Sequence, residues 1–194
     1  MESLENRIRC AWAGNDVLYQ SYHDNEWGRP VHDDRLLFEM LILEGMQAGL
    51  SWITVLKKRD AFRDAFDNFD PKIVAGYGGD KIEQLMNNSG IIKNRLKINS
   101  AVVNAQSFLK IQAEFGSFDR FLWAFTDGQP IQNSWTSVSE VPAQTELSDK
   151  ISKELKKRGF KFVGSTIIYA YLQAVGVVND HTADCFLYDG CIRY

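Results

Sequence analysis

The stretch KKRGFKFVGST, Lys156 to Thr166, decides the fold. Three cations close a basic segment. Gly159, a short apolar turn and Gly164 follow, and then Ser165 and Thr166 open a long uncharged run. Glycine permits tight turns and close approach of another backbone. The pattern therefore reads as helix, hairpin, helix over about residues 150–178. Across Lys150 to Lys161, the side chains of Lys150, Lys153, Lys156, Lys157, Arg158 and Lys161 face one acid, Glu154. A solvated helix face explains that run by itself. The hairpin adds a second reading, a grip on a nucleic-acid backbone. Free N–H groups at a helix start favour a phosphate, and such contacts position a duplex without reading its sequence. Gly159, Gly164, Ser165 and Thr166 are the candidate contacts. A second cluster, Lys93, Arg95 and Lys97, reads as ordinary surface.

The rest of the chain is helical in pattern. Leu37, Met40, Leu41, Glu44, Gln47 and Ala48 recur on one helical face, with Asp33 and Asp34 placed as caps. Further helices are expected over Trp52–Phe66, from Asp70-Pro71, over Asp80–Met86 and over Leu96–Phe115, with a short aromatic one over Phe118–Phe125. No strand pattern is evident. Thr126 to Glu146 reads as a long connection. The expected fold class is all-α. With 194 residues, 45% hydrophobic and 24% charged, the chain suits one domain spanning 1–194, a length that also accommodates two lobes. The net charge of −3 gives no hint of nucleic acid, so any such hint is local.

The start has no apolar signal-like segment, and Phe162–Asn179, though uncharged, reads as hairpin plus buried helix rather than a membrane span. Three cysteines, Cys10, Cys185 and Cys191, argue against a disulfide framework and make the reducing cytoplasm the default location. His181 and Cys185 stand at i, i+4 spacing, which on a helix points both to one side. Cys10 and His23 form a second pair. Two imidazoles and two thiolates suit a closed tetrahedral zinc site. Two buried cysteines and two unrelated histidines suit the same spacing.

Glu44 sits on the apolar face of its helix, where a carboxylate is costly unless paired or working. A buried Glu–Arg pair, a partly exposed helix edge or a ligand site each explains it. Trp12, Tyr19, Tyr22, Trp27 and Trp52 stand near it in sequence. A carboxylate among aromatic faces suits a flat cationic ring.

YHDNEWG (Tyr22–Gly28), EGMQAGLSWITVLKKR (Glu44–Arg59), the hairpin and VNDH (Val178–His181) together resemble the 3-methyladenine DNA glycosylase I family of base-excision repair enzymes, from Cys10 to about Cys185. The resemblance implies a helix-hairpin-helix glycosylase fold of two helical lobes with the damaged base bound between them. It implies one structural zinc held by Cys10, His23, His181 and Cys185, tethering the N- and C-terminal segments. It implies that Glu44 is the essential glutamate and that Trp12, Tyr22, Trp27 and Trp52 form the base pocket, with Tyr19 nearby. The partners it implies are double-stranded alkylated DNA and 3-methyladenine as product, with 3-methylguanine a further possible substrate and a monomer as the natural state. No lysine follows Gly164, so lyase activity is not expected. Asp180 and Asp184 flank the proposed ligands and receive no catalytic role. Leu50, in the AGLS turn, is the candidate wedge into the duplex. Met46 replaces a glutamine of some members and is expected near a polar pocket contact. Asp24 and Glu26 read as structural, and His32 and Cys191 receive no role. A zinc-stabilised DNA-binding module and an enzyme acting on a small cationic nucleobase or nucleoside are the rival readings.

Overall fold

The structure, a computed structural model, describes residues 7–189. Cys191 lies outside the described residues. Ten α-helices lie among them: α1 (Val17–Asn25), α2 (Asp34–Gln47), α3 (Trp52–Leu56), α4 (Arg59–Ala65), α5 (Pro71–Val74), α6 (Gly79–Asn87), α7 (Arg95–Phe115), α8 (Phe118–Trp123), α9 (Glu146–Lys157) and α10 (Ser165–Ala174). None is long and apolar enough to cross a membrane.

α2 is the centre. Every residue from Leu37 to Met46 is buried, and the helix touches α3, α7, α8 and α10. Being enclosed on all sides, it needs no polar face, which is why its sequence is apolar nearly all round. Asp33 caps it by accepting from the Leu36 amide. Asp34 serves another helix. Its carboxylate accepts from the amides of Phe118 and Asp119 and so caps α8 from 84 or more residues away in sequence.

α1 is absent from the sequence reading, because its apolar positions make no continuous stripe. Its start is nonetheless encoded: Asp16 accepts from the amides of Leu18 and Tyr19. The expected helix over Trp52–Phe66 is two. The chain breaks at Lys57 and Lys58, where Lys58 donates to the carbonyls of Ser89 and Gly90 and Arg59 turns inward to Glu39. The long connection holds one strand, β1 (Ile131–Gln132), paired in parallel with β2 (Val178–Asn179). Two residues per strand are too few to show an alternating pattern.

The hairpin joins α9 and α10 as expected. Gly159 makes the turn at φ +94°. Asn104 of α7 clamps the hairpin, accepting from the Lys161 amide and donating to its carbonyl. Ser152 donates to the Val163 carbonyl. The second basic cluster forms no patch. Lys97 is buried and donates to the carbonyls of Met46 and Ala48 at the end of α2, while Arg95 pairs with Glu83.

Candidate active site and metal cluster

A cavity of about 360 Å³ lies beside α2. One wall is aromatic: Trp12, Tyr19, Tyr22, Trp27 and Trp52. Trp12 packs near-perpendicular to Trp27 with ring centroids 4.9 Å apart, and Tyr22 lies 5.4 Å from Trp52. α1 explains part of this wall, since Tyr19, Tyr22 and His23 at i, i+3, i+4 share one side. Behind it Arg59 is buried between Glu39 at 2.6 Å and Glu26 at 2.5 Å. The buried glutamate–arginine pair on α2 thus belongs to Glu39, not to Glu44.

Glu44 stands in the cavity, 4% exposed, with no hydrogen bond among the described residues. Burial pushes its carboxyl up to about 8. Two more polar groups of the aromatic wall, Tyr22 Oη and Trp52 Nε1, are buried without a partner. Unsatisfied buried polar atoms are costly in a core and are the ordinary furniture of a binding site.

The sequence reading misses most of the opposite wall and names Thr166 only as a hairpin contact. That wall comprises Gln47, Val138, Val141–Ala143, and Thr166, Tyr169, Ala170, Gln173 and Asp180. Tyr169 and Gln173 share a face of α10 at i, i+4, and that spacing was the one available signal. Asp180 is 2% exposed and accepts four hydrogen bonds, from Asn133, Trp135, Tyr169 and Gln173, each at 2.6–2.7 Å. Asp184 is exposed and outside the cavity. Met46 does not line the cavity; its side chain is in the core, and the pocket contact falls to its neighbour Gln47.

The cavity runs into a cleft of about 280 Å³ that shares Glu44, Gln47, Thr166 and Ala170 and adds Gly49, Leu50 and Ile167. Leu50 is 43% exposed at its rim. Facing it, α10 starts at Gly164 with no side-chain cap. Thr166 is exposed, whereas the Ser165 hydroxyl is turned inward to Ser148 and Asp149.

Cys10, His23, His181 and Cys185 are all buried, and their donor atoms lie within 4.8 Å of one another. His181 and Cys185 sit on a turn, not on the expected helix, because the Cys185 amide bonds to the Thr182 carbonyl. The turn still brings Cys185 Sγ to 3.4 Å from His181 Nδ1 and 3.5 Å from His23 Nε2. Metal–nitrogen and metal–sulfur bonds of about 2.0–2.3 Å in a tetrahedron give edges of about 3.5 Å. Both imidazoles are also held in the ligating tautomer. His23 Nδ1 faces Asp24 at 2.8 Å, and Arg9 holds that carboxylate in turn. His181 Nε2 faces the Trp27 carbonyl at 3.2 Å. Each acceptor takes the remote N–H and leaves the near nitrogen without a proton, and His23 Nε2 accepts from the Cys10 amide at 3.3 Å. Hydrogen bonds from Cys185, the histidines and the Thr182 amide push the Cys10 thiol down toward thiolate, and the same contact pushes the Cys185 thiol up. The four residues fit a metal ion. His32 is apart, on the surface against Asp119 and Trp123.

The methyladenine glycosylase family matches residues 12–188. The chain is 50% identical over 182 residues to DNA-3-methyladenine glycosylase 1 of Escherichia coli (strain K12), covering 94% of this chain and 97% of that protein. It is 48% identical to DNA-3-methyladenine glycosylase of Haemophilus influenzae, covering 91% and 96%. Among solved structures, one of 3-methyladenine DNA glycosylase I superposes with a TM-score of 0.90 at 51% identity, covering 92% and 98%. Another, concerned with 3-methyladenine recognition by the Staphylococcus aureus enzyme, gives 0.89 at 38% identity, covering 92% and 95%.

Proposed function

The chain belongs to the methyladenine glycosylase family, and from that membership we propose that it removes 3-methyladenine from alkylated DNA by hydrolysing the bond between base and sugar. The observation that carries this reading is Glu44, an unpartnered carboxyl in an aromatic cavity that opens beside Leu50 and the start of α10.

The target atom is out of reach inside a duplex, so the base is extruded. Gly164 and the uncapped start of α10 hold a backbone phosphate, with Thr166 beside them. Leu50 enters the gap that the base leaves. In the cavity Trp12, Tyr22, Trp27 and Trp52 surround the ring with π faces, which attract a cation. An N3-methylated adenine carries that charge already, so its bond to C1′ is weakened without protonation. Glu44 hydrogen-bonds the base and, ionised by the cation beside it, stabilises it through bond breaking. The base leaves as a neutral molecule, C1′ takes the oxygen of water, and one proton is released. The residues after Gly164 supply no amine nucleophile, so the reaction stops at hydrolysis. Cys10, His23, His181 and Cys185 hold one zinc ion, whose closed ligand set makes it structural. The protein acts as a monomer of the reducing cytoplasm, where its cysteine ligands stay thiols.

Purified Glu44→Gln, assayed for free 3-methyladenine at saturating methylated duplex, should be slower by about 10- to 100-fold, the worth of a hydrogen bond to a charged group. Unchanged release would remove Glu44 from the mechanism. Release from free nucleoside but not from duplex would favour the nucleobase enzyme, and tight DNA binding without release would favour the binding module.

A further inference from the structure

The cavity has two carboxyl groups, and only Glu44 has a use in the mechanism above. Asp180 is the other. Both of its oxygens are filled: Oδ1 accepts from Asn133 Nδ2 and Trp135 Nε1, and Oδ2 accepts from Tyr169 Oη and Gln173 Nε2. Two donors come from the long connection and two from α10. β1 pairing with β2 brings the two segments together beside Asp180.

This arrangement determines which way the Gln173 amide faces. An amide can present either end, but an ionised carboxylate only accepts. The NH₂ end must therefore face Asp180, and Oε1 must face away from it. Gln173 lines the cavity, and its Oε1 takes no hydrogen bond among the described residues. Its backbone is fixed as well, since the Gln173 carbonyl accepts from the Gly28 amide at 3.0 Å, next to Trp27. The Tyr169 hydroxyl hydrogen is likewise committed to Asp180. The α10 wall thus keeps the Gln173 oxygen as an unengaged acceptor on the cavity lining, while the Tyr169 hydroxyl hydrogen and one of the two Gln173 amide hydrogens are held by Asp180.

We propose that Gln173, its amide locked by Asp180, reads the donor edge of the extruded base and sets the preference for a methylpurine bearing an amino group at C6 over one bearing a carbonyl there. The inference rests on the proposed glycosylase activity. Adenine presents an N6 amino donor where guanine presents an O6 acceptor. An acceptor that cannot turn round rewards the first and leaves the second facing an oxygen. Glu44, ionised beside the cationic base, is an acceptor on the α2 side of the cavity, and Gln173, held by Asp180, sets a second acceptor on the α10 side. Asp180 is in this sense a positioning residue, and Gln173 the specificity residue.

The test uses metal-loaded protein and duplex DNA methylated to carry both 3-methyladenine and 3-methylguanine, with both free bases quantified. Wild type should release the adenine product in excess. Asp180→Asn, which can donate as well as accept, lets the Gln173 amide turn over. Gln173→Met removes the acceptor and keeps the side-chain length. Each should lower the ratio of adenine to guanine product roughly five- to tenfold, the discrimination one hydrogen bond supplies. Asn133→Ala takes a donor from Asp180 without freeing Gln173, and should keep the ratio even where it lowers stability. Metal content is measured for every variant, because Asp180 adjoins His181. Proportional loss of both products in Asp180→Asn and Gln173→Met would overturn the inference and leave Asp180 a structural residue. A wild type that releases neither base would sink the glycosylase reading instead.

Discussion

Glu44 shows how much one side chain can carry. Its carboxyl is pushed from 4.5 to about 8 by burial. Between those values the folded chain holds a proton that the unfolded chain has lost. Stability is therefore full below about pH 4.5 and falls as pH rises toward 8, by up to about 1.4 kcal/mol per pH unit. Glu44→Gln cannot ionise, so its Tm should exceed that of wild type by a margin that widens from pH 5 to pH 8. Parallel curves would mean that Glu44 is not buried as described. Asp24 permits a second test at this scale. It receives the His23 Nδ1 proton and is held by Arg9 at 2.7 Å. Asp24→Ala should weaken metal affinity about 10- to 100-fold, measured by competition with a chromogenic chelator, without touching any cavity residue. Both positions stand out differently in sequence. An apolar face makes Glu44 conspicuous, whereas nothing local distinguishes the pairing of Asp24 with His23 from an ordinary exposed acid.

Elements were legible where their signals were local. The hairpin, the proline-led α5 and the long α7 follow from caps, periodicity and glycine placement. The aromatic wall and Glu44 were legible for the same reason, as residue types out of proportion in a short span. What escaped depends on distant partners. α1 lacks a stripe, the split between α3 and α4 is drawn by Glu39 and by the Ser89–Gly90 carbonyls, and the α10 wall is assembled around an aspartate eleven residues beyond Tyr169. The turn after α10 illustrates such a constraint. Gly176 has φ +71°, and a Cβ there would stand 2.2 Å from the Arg29 carbonyl carbon. Neither the conformation nor the space admits a side chain, and the obstacle is backbone, which cannot swing aside. Gly176→Ala should cost about 3 kcal/mol or more, by analogy with overpacking together with a forced left-handed residue. Equilibrium urea unfolding measures it; a loss below 1 kcal/mol would show that the segments separate easily.

Across the whole molecule, the metal cluster joins residues at opposite ends of the described chain. Cys10 and His23 meet His181 and Cys185, closing a loop of nearly all the intervening sequence. Trp27 connects that cluster to the cavity, with its carbonyl on His181 Nε2 and its ring packed against Trp12. Losing the ion should therefore act on one region first. The helices α2, α4 and α7 carry none of the four ligand residues, while four of the five residues of the aromatic wall, Trp12, Tyr19, Tyr22 and Trp27, stand on the segment that carries Cys10 and His23. Chelation is expected to lower Tm, because ligation contributes folding free energy. It should also raise amide exchange over residues 10–28 and 178–188 well before α7 is affected, and red-shift tryptophan emission as Trp12 and Trp27 meet water. His23→Ala should reproduce the pattern without removing any group that lines the cavity, so that release of methylated base falls through a loosened pocket. A His23→Ala protein that keeps its metal and its full thermal stability would break the connection between cluster and pocket. Uniform exchange throughout the chain on chelation would instead make the metal a global staple, with no special bearing on the site.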